Sequence, residues 1–320
     1  GALVVTVDKA FVWADSRYWL QAAAQLEGTG IGVMEEGKPD VPSIENWLCS
    51  ELGKGDTVGI DGMVFSVCAT EELDSQLSSK GISLNTNFNP TESLWKDRPD
   101  IPLDKIFIHE EKYAGESCSS KIKKILADAN TQGADSAFIS DLAEVAWTLN
   151  IRCRDVESNP VATAFLYLSP SHSTLFIEPQ KLSDEVVAYL ASNSVATTPY
   201  SDVKSFLSAL PDNEKILINT VQTAGAIADA MGNRIVRGSS PVAMLKGCKN
   251  EIQIQGVRNA MERDGVALVK SFMEIEKAIS EGTSISETDI ADILTKHRSA
   301  QPLYFDQSFD TIAGFGPHGA

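Results

Sequence analysis

The chain has 320 residues, of which 43% are hydrophobic and 22% charged, ordinary values for a soluble globular protein and enough length for two or three separate cores. A formal net charge of −17, spread along the chain rather than blocked, excludes nucleic acid as a partner, because binding phosphates draws on clustered Lys and Arg. No run approaches the ~20 consecutive apolar residues that cross a bilayer, so no membrane partner is expected either.

Leu3 to Val7 and Ala10 to Ala14 are β-rich runs separated by Asp8-Lys9, which predicts a hairpin. The chain is expected to start inside a strand, with residues missing before Gly1. A helix is predicted over Arg17 to Leu26, where Trp19, Leu20, Ala23 and Leu26 stand near helical spacing and Gly28 lies just beyond. A helix from Ile44 to Leu52 and a strand from Thr57 to Asp61 follow. Trp95 to Pro102 carries two prolines and four charges, the chemistry of a linker. Ser119 to Gln132, closed by Gly133, then reads as a helix.

The opening unit recurs about 160 residues later. Ala164 to Leu168, a turn at Ser169 to Ser173, Thr174 to Ile177 and a helix from Asp184 to Ala191 repeat its order and lengths. Val203 to Leu210 followed by Lys215 to Asn219 matches the helix and strand at 44–61. Two α/β domains in tandem are therefore expected, each a sheet with covered faces. A third region begins near Gly247. From Ile254 the apolar residues Val257, Met261, Leu268, Phe272, Ile275 and Ile279 fall three, four or seven apart, predicting one helix of about seven turns ended by Gly282. Ser286 opens a second helix whose early Glu287, Asp289 and Asp292 and late Lys296, His297 and Arg298 suit the helix dipole. Tyr304 to Ala313 reads as a strand, ahead of a glycine-rich turn.

Self-contained catalytic patterns are missing from the sequence: HExxH, GxGxxG after a strand, GxxxxGK[ST] and GxSxG do not occur. Gly28 to Gly32 reads as a flexible turn rather than a phosphate loop. His109, His172 and His297 read as a strand end, a turn and a helix C-terminus; His318, between Pro317 and Gly319, alone lies in an active-site-like loop. Asp141 and Glu144 could act as acid and base, but Arg152 and Arg154 nearby favour a structural ion-pair network. The five tryptophans read as packing residues. Cys49, Cys68, Cys118, Cys153 and Cys248 lack metal spacing and read as reduced thiols of a cytoplasmic protein.

An ordered set of segments carries a resemblance over the full length: WADSRYWLQAA at 13–23, GIDG at 59–62, LWKDRP at 94–99, EVAWTLNIR with DVESNPV at 144–161, KNEIQIQGVRNAMERDGVAL at 249–268 and SFDTIAGFGPHGA at 308–320. Together they resemble aminopeptidase P, the long three-domain form in the creatinase/prolidase/methionine-aminopeptidase superfamily. The resemblance implies an α/β fold: creatinase-N-terminal-like domains of mixed sheet flanked by helices at 1–105 and 106–246, then the first elements of a pita-bread α+β catalytic domain at 247–320. It implies hydrolysis of the bond between an N-terminal residue and a penultimate proline by two divalent metal ions, commonly Mn²⁺, held by two Asp, one His and two Glu. In the family those ligands lie downstream of the glycine-rich turn, so no metal ligand and no catalytic residue is assigned within these 320 residues, and the segment alone is expected to be inactive. Gly316, Pro317, His318 and Gly319 are candidates for the substrate cleft; some relatives have Asn where His318 stands. Arg17, Trp95, Arg98, Trp147 and Arg152 are candidates for domain packing. Peptides with a penultimate proline, and a second copy joined through the rest of the catalytic domain, are the implied partners. A prolidase-type dipeptidase, or a catalytically dead pita-bread protein binding peptides or histones, remains the alternative.

Overall fold

A computed structural model describes residues 1–319. The chain divides into two compact units, Gly1–Asp97 with Ala224–Ala226, and Arg98–Thr223 with Ile227–Ala320.

In the first unit β1 (Ala2–Val5) pairs antiparallel with β2 (Ala10–Ala14), and α1 (Trp19–Leu26) leads to β3 (Gly32–Glu35), parallel to β2. The hairpin turns at Val7-Asp8, one residue earlier than the composition suggested, because Thr6 N–H already bonds Lys9 C=O at 2.8 Å. After α2 (Ile44–Glu51) come β4 (Thr57–Gly59), α3 (Val67–Ser78) and β5 (Ser83–Asn85), with β4 and β5 parallel; α4 (Thr91–Leu94) closes the unit. Trp13 and Trp47 meet edge to face at 5.6 Å in the core with Leu48, Leu73, Leu77 and Ile82. The polar end of Trp13 is satisfied by Pro42 C=O at 2.8 Å, so the ring adds apolar area without a buried orphan donor.

The second unit opens with β6 (Phe107–Ile108), α5 (Glu111–Ala114), α6 (Cys118–Thr131), β7 (Ser136–Ile139), α7 (Leu142–Leu149) and β8 (Ile151–Arg152). It continues through β9 (Phe165–Leu168), β10 (Ser173–Phe176), α8 (Asp184–Ser192), β11 (Val195–Thr198), α9 (Val203–Ala209), β12 (Ile216–Ile218), α10 (Gly225–Met231) and β13 (Ile235–Arg237). Six strands form one mixed sheet in the order β11-β10-β9-β7-β12-β13. The anticipated repeat is present in both topology and order: β9, β10 and β11 pair antiparallel then parallel as β1, β2 and β3 do, and β12 and β13 are parallel like β4 and β5. The strands β7, β9 and β10 are buried on both faces, as expected of strands covered on both sides.

Serine side chains start many of the helices. Ser43, Ser66, Ser117 and Ser183 each accept the backbone N–H three residues on, at α2, α3, α6 and α8, a cap worth about 1 kcal/mol. Gly133 and Gly282 adopt φ +85° and +75° beyond α6 and the long helix near the C-terminus, the left-handed geometry glycine supplies at a helix end.

After α11 (Ala243–Gly247), that long helix is α12 (Glu251–Ser280), opened by a reciprocal Asn250/Gln253 capping box, so it begins three residues before the periodicity indicates. Next comes α13 (Glu287–Ser299), with its own Ser286/Asp289 box. It packs along α12 through Lys296 and His297 on Glu274, at 2.8 and 2.7 Å, and Arg298 on Asp264 at 2.7 Å. The strand expected over Tyr304 to Ala313 is not formed: 303–315 contains no helix or strand. An isolated strand cannot satisfy its own backbone, and among the described residues none pairs with this segment.

Candidate functional site

The glycine-rich turn is the first place to look for chemistry. Gly316–Gly319 forms a single tight turn, entered at Gly316 with φ +61°. Glu287, the first residue of α13, grips it from below. One carboxylate oxygen accepts Phe315 N–H at 2.5 Å and the other faces His318 Nδ1 at 2.8 Å. Those contacts, His318 first, hold the Glu287 carboxyl below its usual range. His318 itself is exposed, and Pro317 and Gly319 share the turn. A cavity of about 630 Å³ opens between α12, α13 and the 301–312 segment, lined by Met261, Asp264, Arg298, Tyr304, Phe309 and Ile312.

The packing candidates fall into distinct environments. Arg17 makes a two-pronged pair with Asp15, Nε to Oδ1 at 2.9 Å and Nη2 to Oδ2 at 3.1 Å, and lies 5.7 Å from the Tyr18 ring. Trp95 follows α4, its N–H on Thr91 C=O at 3.0 Å, with half of its surface exposed; Arg98 is exposed at the start of the second unit. Trp147 is buried in α7. Arg152, in β8, donates through Nη1 to the carbonyls of Ala146 and Ile151 at 3.0 and 2.8 Å. Burial lowers its affinity for its proton.

The ion-pair network expected around Asp141, Glu144, Arg152 and Arg154 does not form. Asp141 caps α7 by accepting Glu144 N–H at 2.8 Å. The Glu144 carboxylate turns inward and accepts Ser240 Oγ–H at 2.6 Å, and burial raises its pKa. Arg154 instead pairs with Asp306 at 3.9 Å, over the Phe305 ring. The reason is local geometry: α7 ends at Asn150, whose φ of +51° reverses the chain and sends the arginines away from the carboxylates.

What sequence reasoning missed is a buried cation beneath Trp147. Lys121 Nζ donates to Trp147 C=O at 2.8 Å and Asn150 Oδ1 at 2.6 Å, and stands 4.1 Å from the Trp147 ring centre. Asn150 completes the knot by donating Nδ2–H to Glu116 C=O at 2.9 Å. Desolvation, then repulsion from Arg152, lowers the lysine pKa to about 8. The signal was available, since Lys121 falls on the apolar stripe of α6 formed by Cys118, Ile122, Ile125 and Ala129. A second buried pair, Lys181 with Asp155, is fully enclosed, and Asp155 also accepts Thr163 N–H at 2.6 Å. Beside them His109 stacks on Tyr113 at 5.9 Å, and burial followed by Arg152 and Lys121 lowers its pKa to about 4.

None of these groups is a metal centre. Among the described residues no three His, Cys, Asp or Glu side chains stand close enough to hold an ion, so the donor set does not fit a metal and no chemical step is derived through one. No described helix is long and apolar enough to cross a membrane.

Comparison with known proteins supplies what the side chains alone do not. A family model described as the Creatinase/Prolidase N-terminal domain matches residues 97–253. A probable Xaa-Pro aminopeptidase P of Laccaria bicolor is 36% identical over 333 residues, taking in all of this chain and 51% of its own length. Aminopeptidase P2 of Arabidopsis thaliana is 32% identical over 357 residues, again across all of this chain and 50% of its own. The solved X-prolyl aminopeptidase of Caenorhabditis elegans, described as a cytosolic enzyme with a di-nuclear active site, matches with a TM-score of 0.90 at 28% identity, over 96% of this chain and 51% of that one. The chain thus spans about half the length of the curated relatives it matches. With a duplicated α/β sheet, the chain matches the Creatinase/Prolidase N-terminal domain over 97–253 and is similar to aminopeptidase P relatives along its whole length.

Proposed function

We propose that this chain is the N-terminal part of a metal-dependent Xaa-Pro aminopeptidase, a cytoplasmic enzyme that hydrolyses the bond between an N-terminal residue and a penultimate proline. The observation that carries the reading is the match to the nematode X-prolyl aminopeptidase along 96% of this chain. Two divalent ions, Mn²⁺ by the preference of mixed carboxylate and imidazole donors, would supply an activated water, and their ligands lie beyond these 320 residues. Two α/β domains, at 1–105 and 106–246, come first, and 247–320 begins the catalytic domain. Arg17, Trp95, Arg98, Trp147 and Arg152 maintain the packing of those domains. Gly316 to Gly319 border the substrate, with Glu287 holding the turn in place. The complete enzyme acts as a homodimer joined through its catalytic domain.

The test is hydrolysis of a peptide with a penultimate proline by the complete protein and by residues 1–320. Release of the first residue by the complete protein, blocked by a chelator and undetectable with the shorter chain, is the expected result. Cleavage by residues 1–320 alone would overturn the assignment of the chemistry to the remainder.

A further inference from the structure

Between Leu303 and Phe315 the chain has no helix or strand, so its place is set by side-chain contacts rather than by a ladder of backbone bonds. Toward its end those contacts lead to α13. Gln307 Nε2 donates to Thr295 Oγ1 at 2.8 Å, Thr311 Oγ1 donates to Gln307 Oε1 at 3.3 Å, and Phe315 N–H donates to Glu287 at 2.5 Å. At its start the segment is held instead by the loop after β8, through Arg154, and by Phe107 of β6.

Arg154 makes three different contacts with two successive residues. Its guanidinium lies over the Phe305 ring, 4.2 Å from the centre, donates through Nη2 to Phe305 C=O at 3.2 Å, and faces the Asp306 carboxylate from Nη1 at 3.9 Å. Phe107 brings a second ring to Phe305, the two centres 5.5 Å apart. A ring, a carbonyl and a carboxylate in that order fit one register, because sliding the segment by a single residue takes all three from the arginine. A planar fork of donors suits this set better than an ammonium does. The arginine is exposed, yet its mount is rigid. Cys153 before it is fully buried, its thiol donating to Asp104 C=O at 3.3 Å and Asp155 Oδ1 at 3.2 Å. Asp155 after it is enclosed with Lys181 and accepts Thr163 N–H at 2.6 Å. The buried charge pair thereby fixes the backbone from which the arginine reaches out.

We propose that Arg154 is a positioning residue, which sets the register of residues 303–308 and, through Gln307, Thr311 and Glu287, the place of the turn at Gly316–Gly319. The inference rests on the reading of that turn as a border of the substrate cleft. Arg154 acts through these residues rather than on the substrate. Each of its contacts is weak at this exposure, so its loss loosens the segment without unfolding the domain. Substrate then meets a turn that is misplaced for part of the time, and binding suffers first.

The test is made on the complete protein with Arg154→Ala and Arg154→Lys. On a peptide with a penultimate proline, kcat/KM should be about 10-fold lower in Arg154→Ala, chiefly through KM, and Arg154→Lys should recover about 3-fold of that loss. Melting temperatures should stay within about 2 °C of wild type. Unchanged kcat/KM, or a loss that runs parallel to a fall in melting temperature and is not relieved by lysine, would overturn the proposal. Hydrogen exchange reads the same contact without turnover. The amides of Phe315 and His318, bonded to Glu287 and to Phe315 C=O, should exchange about 10-fold faster in Arg154→Ala. Equal exchange in the two proteins would also overturn the proposal. A wild type that leaves the peptide uncut, with exchange still faster in the variant, would count against the peptidase reading and uphold the positioning role.

Discussion

Replacing Lys121 by Met sets two opposed effects against each other, and pH separates them. The side chain keeps its length but loses the ammonium, leaving Trp147 C=O and Asn150 Oδ1 without their donor, at about 1–3 kcal/mol for each buried acceptor. Against this, a fall from 10.5 to about 8 means the charged form is disfavoured in the folded protein, by about 3 kcal/mol at 1.36 kcal/mol per unit. Near neutral pH the two terms oppose each other, about 2–6 kcal/mol lost at the two acceptors against about 3 kcal/mol regained, so Lys121→Met should fall between about 1 kcal/mol of gain and about 3 kcal/mol of loss. Between pH 8 and 10.5 the unfolded lysine holds its proton and the folded one does not, so wild-type stability rises with pH through that window. The variant lacks this rise. Urea unfolding at pH 7 and pH 10 should therefore show Lys121→Met becoming less stable relative to wild type by about 2–3 kcal/mol at the higher pH. A difference between the two proteins that stays constant with pH would refute the reasoning.

The enclosed Asp155–Lys181 pair behaves differently, because removing one charge strands the other. Asp155→Asn should cost about 3–5 kcal/mol in denaturant unfolding, and adding Lys181→Met should recover part of that loss. On the acid side His109, with its pKa lowered to about 4, is neutral in the folded chain while the unfolded histidine takes up a proton below about 6.5. Stability is therefore lost as pH falls from 6.5 to 4, and His109→Asn should lose up to about 3 kcal/mol less than wild type over that range, measured by unfolding at both ends.

Local patterns revealed the repeated units and the helices because each carries its own signal: alternating β-rich runs at 3–14, serine caps ahead of apolar stripes, Gly133 and Gly282 at helix ends. The run at 304–313 carries the same local signal, but a strand exists only with a partner, and partnership is not a local property. The Asp141 and Arg152 region misled for a related reason. Proximity in sequence promised ion pairs, yet one left-handed residue, Asn150, divides acids from bases. Lys121 was hidden by its neighbours in Ser119-Ser120-Lys121-Ile122-Lys123-Lys124, a run that reads as a solvated face until it is placed on the helix stripe. Asp155, between β8 and β9, and Lys181, between β10 and α8, lie 26 residues apart, and only the fold joins them. The turn at 316–319 was legible as a loop, whereas its hold by Glu287 depends on where α13 starts.

Titration calorimetry with Mn²⁺ tests the central claim most directly, comparing residues 1–320 with the complete protein. The account predicts two ions bound per complete chain and no stoichiometric binding by residues 1–320, in which no described cluster offers three ligands. Stoichiometric Mn²⁺ binding by the 320-residue chain would contradict it.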